Sequence, residues 1–531
     1  MRRFLPSFIV LLFFSILALR SLVQNSFYTS HDGFTHTARI AAYFQALSDG
    51  QFPPRWAPNF NNGLGSPIFT YIYPVPYFLG SATHFVGFSF QDSFRLVMVL
   101  STFLSSAFMY FWLKRNFGST PALVGAIFYV WVPYRFLNLY VRAAYAENLA
   151  YMFLPVILLS LQDKKWKMFV FSLALLLLTH NVVAAMFLPT IIGWGILQKS
   201  SLKKMVLGMV AAFSLAAFIY LPDFFERGYV LFDSGINYFS DHFVAFWQFF
   251  RSPWGYGFDF AGTTSDAMSF QLGLTQIGVF VMAIYLAAKK KSLPAIFFTS
   301  LTVLVTAIMT ETPWSVGLWK TVPVMKNIID FPWRFIGVTT LTFSFLAAFV
   351  VSQVRYKKVV AVVCILAVLV FNRNHLRVNE TASFPDKDFI NYTGASTATS
   401  GEFTPRWHND RDFFIPEKKV EVLRGNTDIS NIIYNSFGVS FLATGSEAAK
   451  IRINRLYFPQ TDIFLNGSQL EKDKQYRITG RTSFEKLDDS GLIQVDFLPP
   501  GGKYQLKFSE TPLRKIGNVI SLGSLVLLLF L

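Results

Sequence analysis

The sequence predicts a polytopic α-helical membrane protein of about 12 spans, with an extracytoplasmic β-sandwich-like domain inserted before the last span. Three observations predict it. Hydrophobic residues make up 53% of the 531 residues and charged residues only 15%, against about 25% charged in soluble domains. Long apolar runs recur along the chain, with basic clusters at their ends, the pattern that membrane insertion and orientation impose. One stretch, 373–512, shifts abruptly to sequence rich in charge, Gly, Asn and Thr.

The candidate spans are 4–23, 93–113, 119–133, 148–162, 167–180, 182–198, 204–222, 269–288, 293–310, 333–353, 357–372 and 514–531. Segment 67–88 is apolar enough to be a thirteenth, but it contains Pro67, Pro74, Pro76 and His84. Charge decides the case. Without it, Arg2-Arg3, Lys114-Arg115, Lys164-Lys165, Lys203-Lys204, Lys289-Lys290-Lys291 and Lys357-Lys358 all fall on one side, as the positive-inside rule demands. Segment 67–88 is therefore read as a re-entrant or interfacial element of a long first outer loop, 24–92. Both termini are then cytoplasmic. The run after Met1-Arg2-Arg3 has no small-x-small cleavage pattern and is read as an uncleaved first span.

The domain reading follows: 1–372 a transmembrane unit, 373–512 an extracytoplasmic β-rich domain, 513–531 a last transmembrane helix. Within the insert, strand-like runs occur at 420–423, 432–434, 451–453, 462–465, 492–495 and 504–507, separated by turn signals such as Asn466-Gly467 and Pro499-Pro500-Gly501-Gly502. The net charge of +16 orients spans and does not mark nucleic-acid binding, because no basic, aromatic-interleaved soluble module exists. The single cysteine, Cys364, lies in an apolar run, so neither an intrachain disulfide nor a cysteine metal site is available. There is no Walker loop and no H-E-x-x-H.

The candidate chemistry gathers in the outer loops. Asp32 sits just after the first span, flanked by His31 and His36, with Arg39 seven residues on. If 31–48 is an interfacial helix, Asp32, His36 and Arg39 share one face at i, i+4 and i+7. A carboxylate beside imidazole and guanidinium suits deprotonation of a hydroxyl while an anionic phosphate is held nearby. Arg55 and Trp56 follow in the same loop. Glu147 lies in the next outer loop, five residues after Arg142, where an ordinary helix-start ion pair is the plain alternative. His180 forms a polar island between two apolar runs, readable as a hairpin turn or as part of a lined cavity. Arg334 starts a span on the outer side, against the charge rule. It reads either as a snorkelling arginine or as a ligand for lipid phosphate. Asp32 and Glu147 could together coordinate a divalent cation, Mg or Mn, through oxygen.

The runs Asp32-x-x-x-His36-x-x-Arg39, Gly50-x-Phe52-Pro53-Pro54-Arg55-Trp56, Gly63-x-Gly65-x-Pro67 and Tyr71-x-x-Pro74 resemble bacterial integral membrane proteins of the family labelled "6-pyruvoyl-tetrahydropterin synthase-related". Phe331-Pro332-Trp333-Arg334-Phe335 and Gly401-Glu402-Phe403-Thr404-Pro405-Arg406-Trp407 fit the same resemblance. No zinc histidine triad accompanies the label, so it does not imply pterin chemistry. The broader architecture is similar to the GT-C glycosyltransferases, which carry an acidic residue in a long first outer loop and a second acidic motif in the next. Asp32 matches the first position and Glu147 the second, without an Asp-x-Asp or Glu-x-Asp pair. The resemblance implies an inverting glycosyltransferase at the outer face of the cytoplasmic membrane. Its donor would be a polyprenyl-phosphate-linked sugar and its acceptor a cell-surface glycan, lipid or protein. Catalytic roles fall to Asp32 and Glu147, and substrate-binding roles to His36, Arg39, Arg55, Trp56, Arg142, His180 and Arg334. The rival readings are a transporter or flippase of lipid-linked saccharides, which needs ionisable groups near the bilayer midplane, and a non-catalytic membrane scaffold.

Overall fold

The computed structural model describes residues 5–23, 27–232, 238–257, 267–395, 401–408, 415–480 and 490–530. The basic pair Arg2-Arg3 lies outside the described residues. All twelve apolar segments singled out in the sequence are helical. The first is α1 (Leu5–Ala18), followed by the two-residue strand β1 (Phe27–Tyr28) and by α2 (Gly33–Ser48) in the outer loop. Segment 67–88 folds as α3 (Val75–Phe85). Eleven residues rise about 16 Å, about half the hydrocarbon thickness.

The long helix α4 (Phe90–Phe117) starts where Ser89 accepts a hydrogen bond from the Asp92 N–H. It ends on Lys114, Arg115 and the positive-φ Gly118, the residues that suit a helix's two poles. Next comes α5 (Ser119–Val130), which stops before Pro133. After a 46° bend the chain continues as α6 (Pro133–Phe136) and a wide π-type turn, Leu137–Val141. Ala143, at positive φ, and Ala144 then step out of helical geometry before α7 (Tyr145–Gln162). The bundle continues with α8 (Trp166–Leu177), α9 (Asn181–Leu197), α10 (Leu202–Leu215) and α11 (Ala217–Glu226). Beyond them run α12 (Leu274–Lys290), α13 (Leu293–Met309), α14 (Pro313–Thr321), α15 (Ile336–Gln353) and α16 (Lys357–Asn372). The predicted span 204–222 is broken, with α10 and the segment after it bent by 78°.

The core is built around α15. Every residue from Ile336 to Val351 is buried, and the helix packs on α5, α12 and α13, while α4 packs on α5 and α7. At the periphery, α16 exposes Val359, Val362, Val363, Leu366, Val370 and Phe371, a contiguous apolar face that suits lipid rather than water. Among the described residues four helices are long and apolar enough to cross a membrane, or up to six if each bent pair is one span. The remaining predicted spans form helices of 12–18 residues, and the number of crossings stays an expectation.

The insert differs from its prediction at its start. Residues 373–408 contribute a two-residue strand, β2 (Thr381–Ala382), which pairs with β1, and a short helix, α17 (Asp386–Ile390). They pack on the loop between α1 and α4, with Phe384, Phe389 and Tyr392 ringing Phe34. The described part of the β-sandwich begins at β3 (Val420–Arg424). Then follow β4 (Asp428–Asn435), β5 (Gly438–Thr444), β6 (Ala449–Leu456), β7 (Thr461–Leu465), β8 (Ser468–Gln469), β9 (Tyr476–Ile478), β10 (Leu492–Phe497) and β11 (Gly501–Phe508). One antiparallel sheet runs β3-β6-β10-β9 and the other β4-β5-β11-β7-β8. Ile451, Ile493 and Val495 of the first meet Phe441, Ile463 and Leu506 of the second in one apolar core. Asn466 and Gly467 both adopt positive φ between β7 and β8, as an Asn-Gly hairpin turn requires. The chain closes with α18 (Pro512–Phe530), which packs on α10 and α11.

Candidate active site

The site forms where the loop between α1 and α4 meets the step between α6 and α7. The His31 N–H donates to the Val141 carbonyl and the Asp32 N–H to the Arg142 carbonyl, both at 3.0 Å. Gly33 permits this approach, since a Cβ there would stand 2.5 Å from Ser30 Oγ and 3.2 Å from Ala143 Cβ. The helix starts one residue later than the predicted shared face requires, and Asp32 is its N-cap. Its side chain nonetheless makes no capping hydrogen bond. Among the described residues the half-buried Asp32 carboxylate has no hydrogen bond and no ion pair. It lies in electrostatic reach of Arg39 and Arg142.

One turn on, His36 is buried, and its Nδ1 lies 3.0 Å from the Tyr77 hydroxyl. Arg39 Nη1 donates to the same hydroxyl at 3.2 Å. Burial, then the charge of Arg39 and the neighbourhood of His180 and Arg142, hold the His36 imidazole well below its ordinary pKa, so it is neutral near pH 7. Tyr73 stacks on His180 at 5.1 Å and lies parallel to Tyr77 at 6.3 Å. His180 itself caps α9, its Nδ1 accepting from the Val183 N–H at 3.3 Å. His31 contacts the Tyr256 carbonyl at 2.9 Å through Nε2.

Glu147 is 2% exposed. Its Oε1 accepts from Tyr134 at 2.7 Å, Asn138 at 3.0 Å and Tyr151 at 3.4 Å, and its Oε2 from Arg142 at 2.8 Å. It is thus a buried carboxylate that anchors Arg142. Arg142 also donates to Asn138 Oδ1 at 2.7 Å, and its guanidinium lies 4.7 Å above the Trp333 ring. Arg334 reaches the same ring at 5.9 Å and the Phe331 ring at 4.6 Å. Its Nη1 donates to the Ile329 carbonyl and lies 3.8 Å from Asp330, while its Nε is buried without a partner. Trp333 therefore spaces two guanidiniums.

The fold brings together Asp32, His36, Arg39, Arg142, Glu147, His180 and Arg334. It does not bring Arg55 or Trp56 to this cluster. Arg55 is 1% exposed, donates to Glu510 at 2.9 Å and to Asn518 at 3.1 Å, and so ties the loop to α18. Trp56 is fully buried against Phe458 and Phe508, under the Arg455 guanidinium at 4.3 Å. Both Glu147 oxygens accept hydrogen bonds, three on Oε1 and one on Oε2. Among the described residues no group of three or more His, Cys, Asp or Glu side chains could hold a metal ion. Sequence reasoning missed Tyr73, Tyr77, Tyr134 and Asn138. The available signal was a set of hydroxyls and an amide inside otherwise apolar runs.

Unpaired polar chemistry at one end of an apolar helical bundle defines a membrane protein with a built polar site. The chain belongs to the 6-pyruvoyl-tetrahydropterin synthase related domain family of membrane proteins, whose profile matches residues 69–377, more than half of it. An uncharacterized protein of Lactococcus lactis subsp. cremoris is 27% identical over 237 residues, 40% of this chain and 39% of that protein. The chain thus spans about two fifths of that relative. Among solved structures it is similar to the arabinofuranosyltransferase AftD from mycobacteria (TM-score 0.43, 14% identity, 72% of this chain and 28% of that one). It is also similar to the Archaeoglobus fulgidus oligosaccharyltransferase (0.41, 12%, 73% and 56%). A third is ArnT from Cupriavidus metallidurans, bound to undecaprenyl phosphate (0.35, 13%, 65% and 60%). Nothing about activity follows from scores of this size.

Proposed function

We propose that this protein is an inverting membrane glycosyltransferase. It transfers a sugar from a polyprenyl-phosphate-linked donor to a glycan, lipid or protein acceptor at the outer face of the cytoplasmic membrane. The observation that carries the reading is the Asp32 carboxylate. It is half-buried and without a hydrogen-bond or ion-pair partner among the described residues, yet it stands beside Arg39 and Arg142. A structural carboxylate in such surroundings would pair. One left open suits a general base.

In this reading Asp32 takes the proton of an acceptor hydroxyl. The acceptor oxygen attacks the anomeric carbon from the face opposite the lipid phosphate. The bond between that carbon and the phosphate oxygen breaks, and its electron pair leaves with the polyprenyl phosphate. Arg142 and Arg334, spaced by Trp333, hold the phosphate as charge builds on it, since guanidiniums match phosphate oxygens geometrically. Glu147 keeps Arg142 charged and aimed. His36, neutral, contributes a hydrogen bond rather than a second positive charge. No step passes through a metal.

The test is transfer and donor binding by the purified protein in nanodiscs, with a radiolabelled polyprenyl-phosphate sugar. The expected result is saturable donor binding that Arg334→Ala and Arg142→Ala weaken. Undiminished binding in both variants contradicts the phosphate assignment.

A further inference from the structure

We propose that Tyr77 is a positioning residue of this site, holding His36 as the Nε2–H tautomer and Arg39 in a fixed direction. The argument is one of hydrogen-bond supply. The Tyr77 hydroxyl is fully buried and has one proton to give. Two groups reach it: Arg39 Nη1 at 3.2 Å and His36 Nδ1 at 3.0 Å. A guanidinium only donates, so it takes a lone pair of the hydroxyl oxygen. Among the described residues the acceptor left for the phenolic proton is His36 Nδ1. A buried hydroxyl proton without an acceptor is costly, so the proton lies on the line from Oη to Nδ1. An imidazole whose Nδ1 accepts carries its own proton on Nε2.

His36 Nε2 has no partner among the described residues. The ring thus offers a fixed N–H donor on the helix turn that carries Asp32, and it is not a competing base. The close packing of α3 on α2 sets this arrangement. Gly80 leaves no room for a Cβ, which would stand 2.7 Å from Ile40, and the Tyr145 hydroxyl locks α3 by donating to the Pro76 carbonyl at 3.0 Å. Segment 67–88 then has a stated purpose, as the buttress that delivers Tyr77.

The tautomer assignment rests on geometry alone. The kinetic arm rests on the glycosyltransferase reading. The experiment is 15N NMR of the full-length protein labelled at histidine and held in nanodiscs near pH 7, with the His36 signals assigned by their loss in His36→Gln. The parental protein should show a protonated Nε2 and an unprotonated, hydrogen-bonded Nδ1. Tyr77→Phe should release the ring into a mixture of tautomers and weaken donor binding roughly tenfold, the loss of about one hydrogen bond to a charged or buried group. A parental His36 protonated at Nδ1 overturns the proposal, and that spectrum needs no variant to fold. An unchanged tautomer in folded Tyr77→Phe overturns it equally. A tautomer shift in a protein that transfers no sugar supports Tyr77 as the holder of His36 and counts against the transferase reading instead.

Discussion

Two stretches of the loop between α1 and α4 hold their charges in opposite ways. At the start of α2, Asp32 is half-buried and pairs with nothing among the described residues, although arginines stand near it. Beyond the other end of α2, Arg55 is sealed from solvent and bonded to Glu510 and Asn518, and Trp56 is pressed beneath Arg455. Asp49, next to that end, is likewise consumed by the Ser436 N–H and hydroxyl at 2.8 and 2.6 Å. A buried pair answers its own desolvation and fixes the joint between modules. An open carboxylate answers nothing internal, and its purpose lies in what binds beside it. Pairing, more than residue type, separates the structural stretch of the loop from the chemical one.

The largest effect should come from Glu147, where the site borrows the joint's logic. Glu147→Gln leaves the Arg142 guanidinium buried without its counter-charge, a loss of about 3–5 kcal/mol, read as a fall in unfolding temperature in detergent. A variant as stable as the parent would show that Glu147 does not anchor Arg142. At the joint, Arg55→Ala should cost about 3 kcal/mol, the low end for a broken buried pair because Glu510 is 26% exposed. Transfer per folded molecule should persist. Lost transfer at full stability would return Arg55 to the site.

Much of this contrast was beyond the sequence for a physical reason. Helix positions were legible because apolar runs must be helical in a bilayer, and the strands near 451 and 493 because their buried residues run together. The clustering of Asp32 with Arg142 and Arg334 was readable only as a shared side of the membrane. The partner of Arg55, by contrast, is 455 residues away, and nothing local announces it. β5 was missed although Asn435, Ser436 and Gly438 set it off from β4, with the Asn435 side chain accepting from the Phe437 and Gly438 N–H. Residues 373–395 read as part of the β-domain by composition, yet Phe384, Phe389 and Tyr392 serve the loop around Phe34. Tyr77 was hidden because a hydroxyl on an apolar α3 looks like interface decoration until His36 and Arg39 are placed against it.

Smaller effects sharpen the comparison. Arg334→Lys retains the charge but not the planar fork, and donor affinity should fall about tenfold. Unchanged affinity would make Arg334 a membrane-surface residue only. At the joint, Lys419 donates to the Gly63 carbonyl at 2.6 Å and lies 4.0 Å over the Tyr434 ring. Burial, then Arg455, depresses its pKa from 10.5 to about 8. The unfolded chain therefore binds more protons than the folded one between about pH 8 and 10.5, and stability rises with pH across that window. The rise attributable to Lys419 should be roughly 1 kcal/mol after solvent screening. It is read as the difference between parent and Lys419→Met in denaturant midpoints, and identical pH profiles would remove it.

The open carboxylate is the central claim, and Asp32→Asn tests it most directly. The substitution keeps shape and removes basicity. The account predicts a protein that inserts, unfolds within about 0.5 kcal/mol of the parent and binds polyprenyl-phosphate sugar. Its transfer should be slower by about 10²–10⁴-fold, with all three measured on one preparation. Transfer at the parental rate would contradict Asp32 as the base.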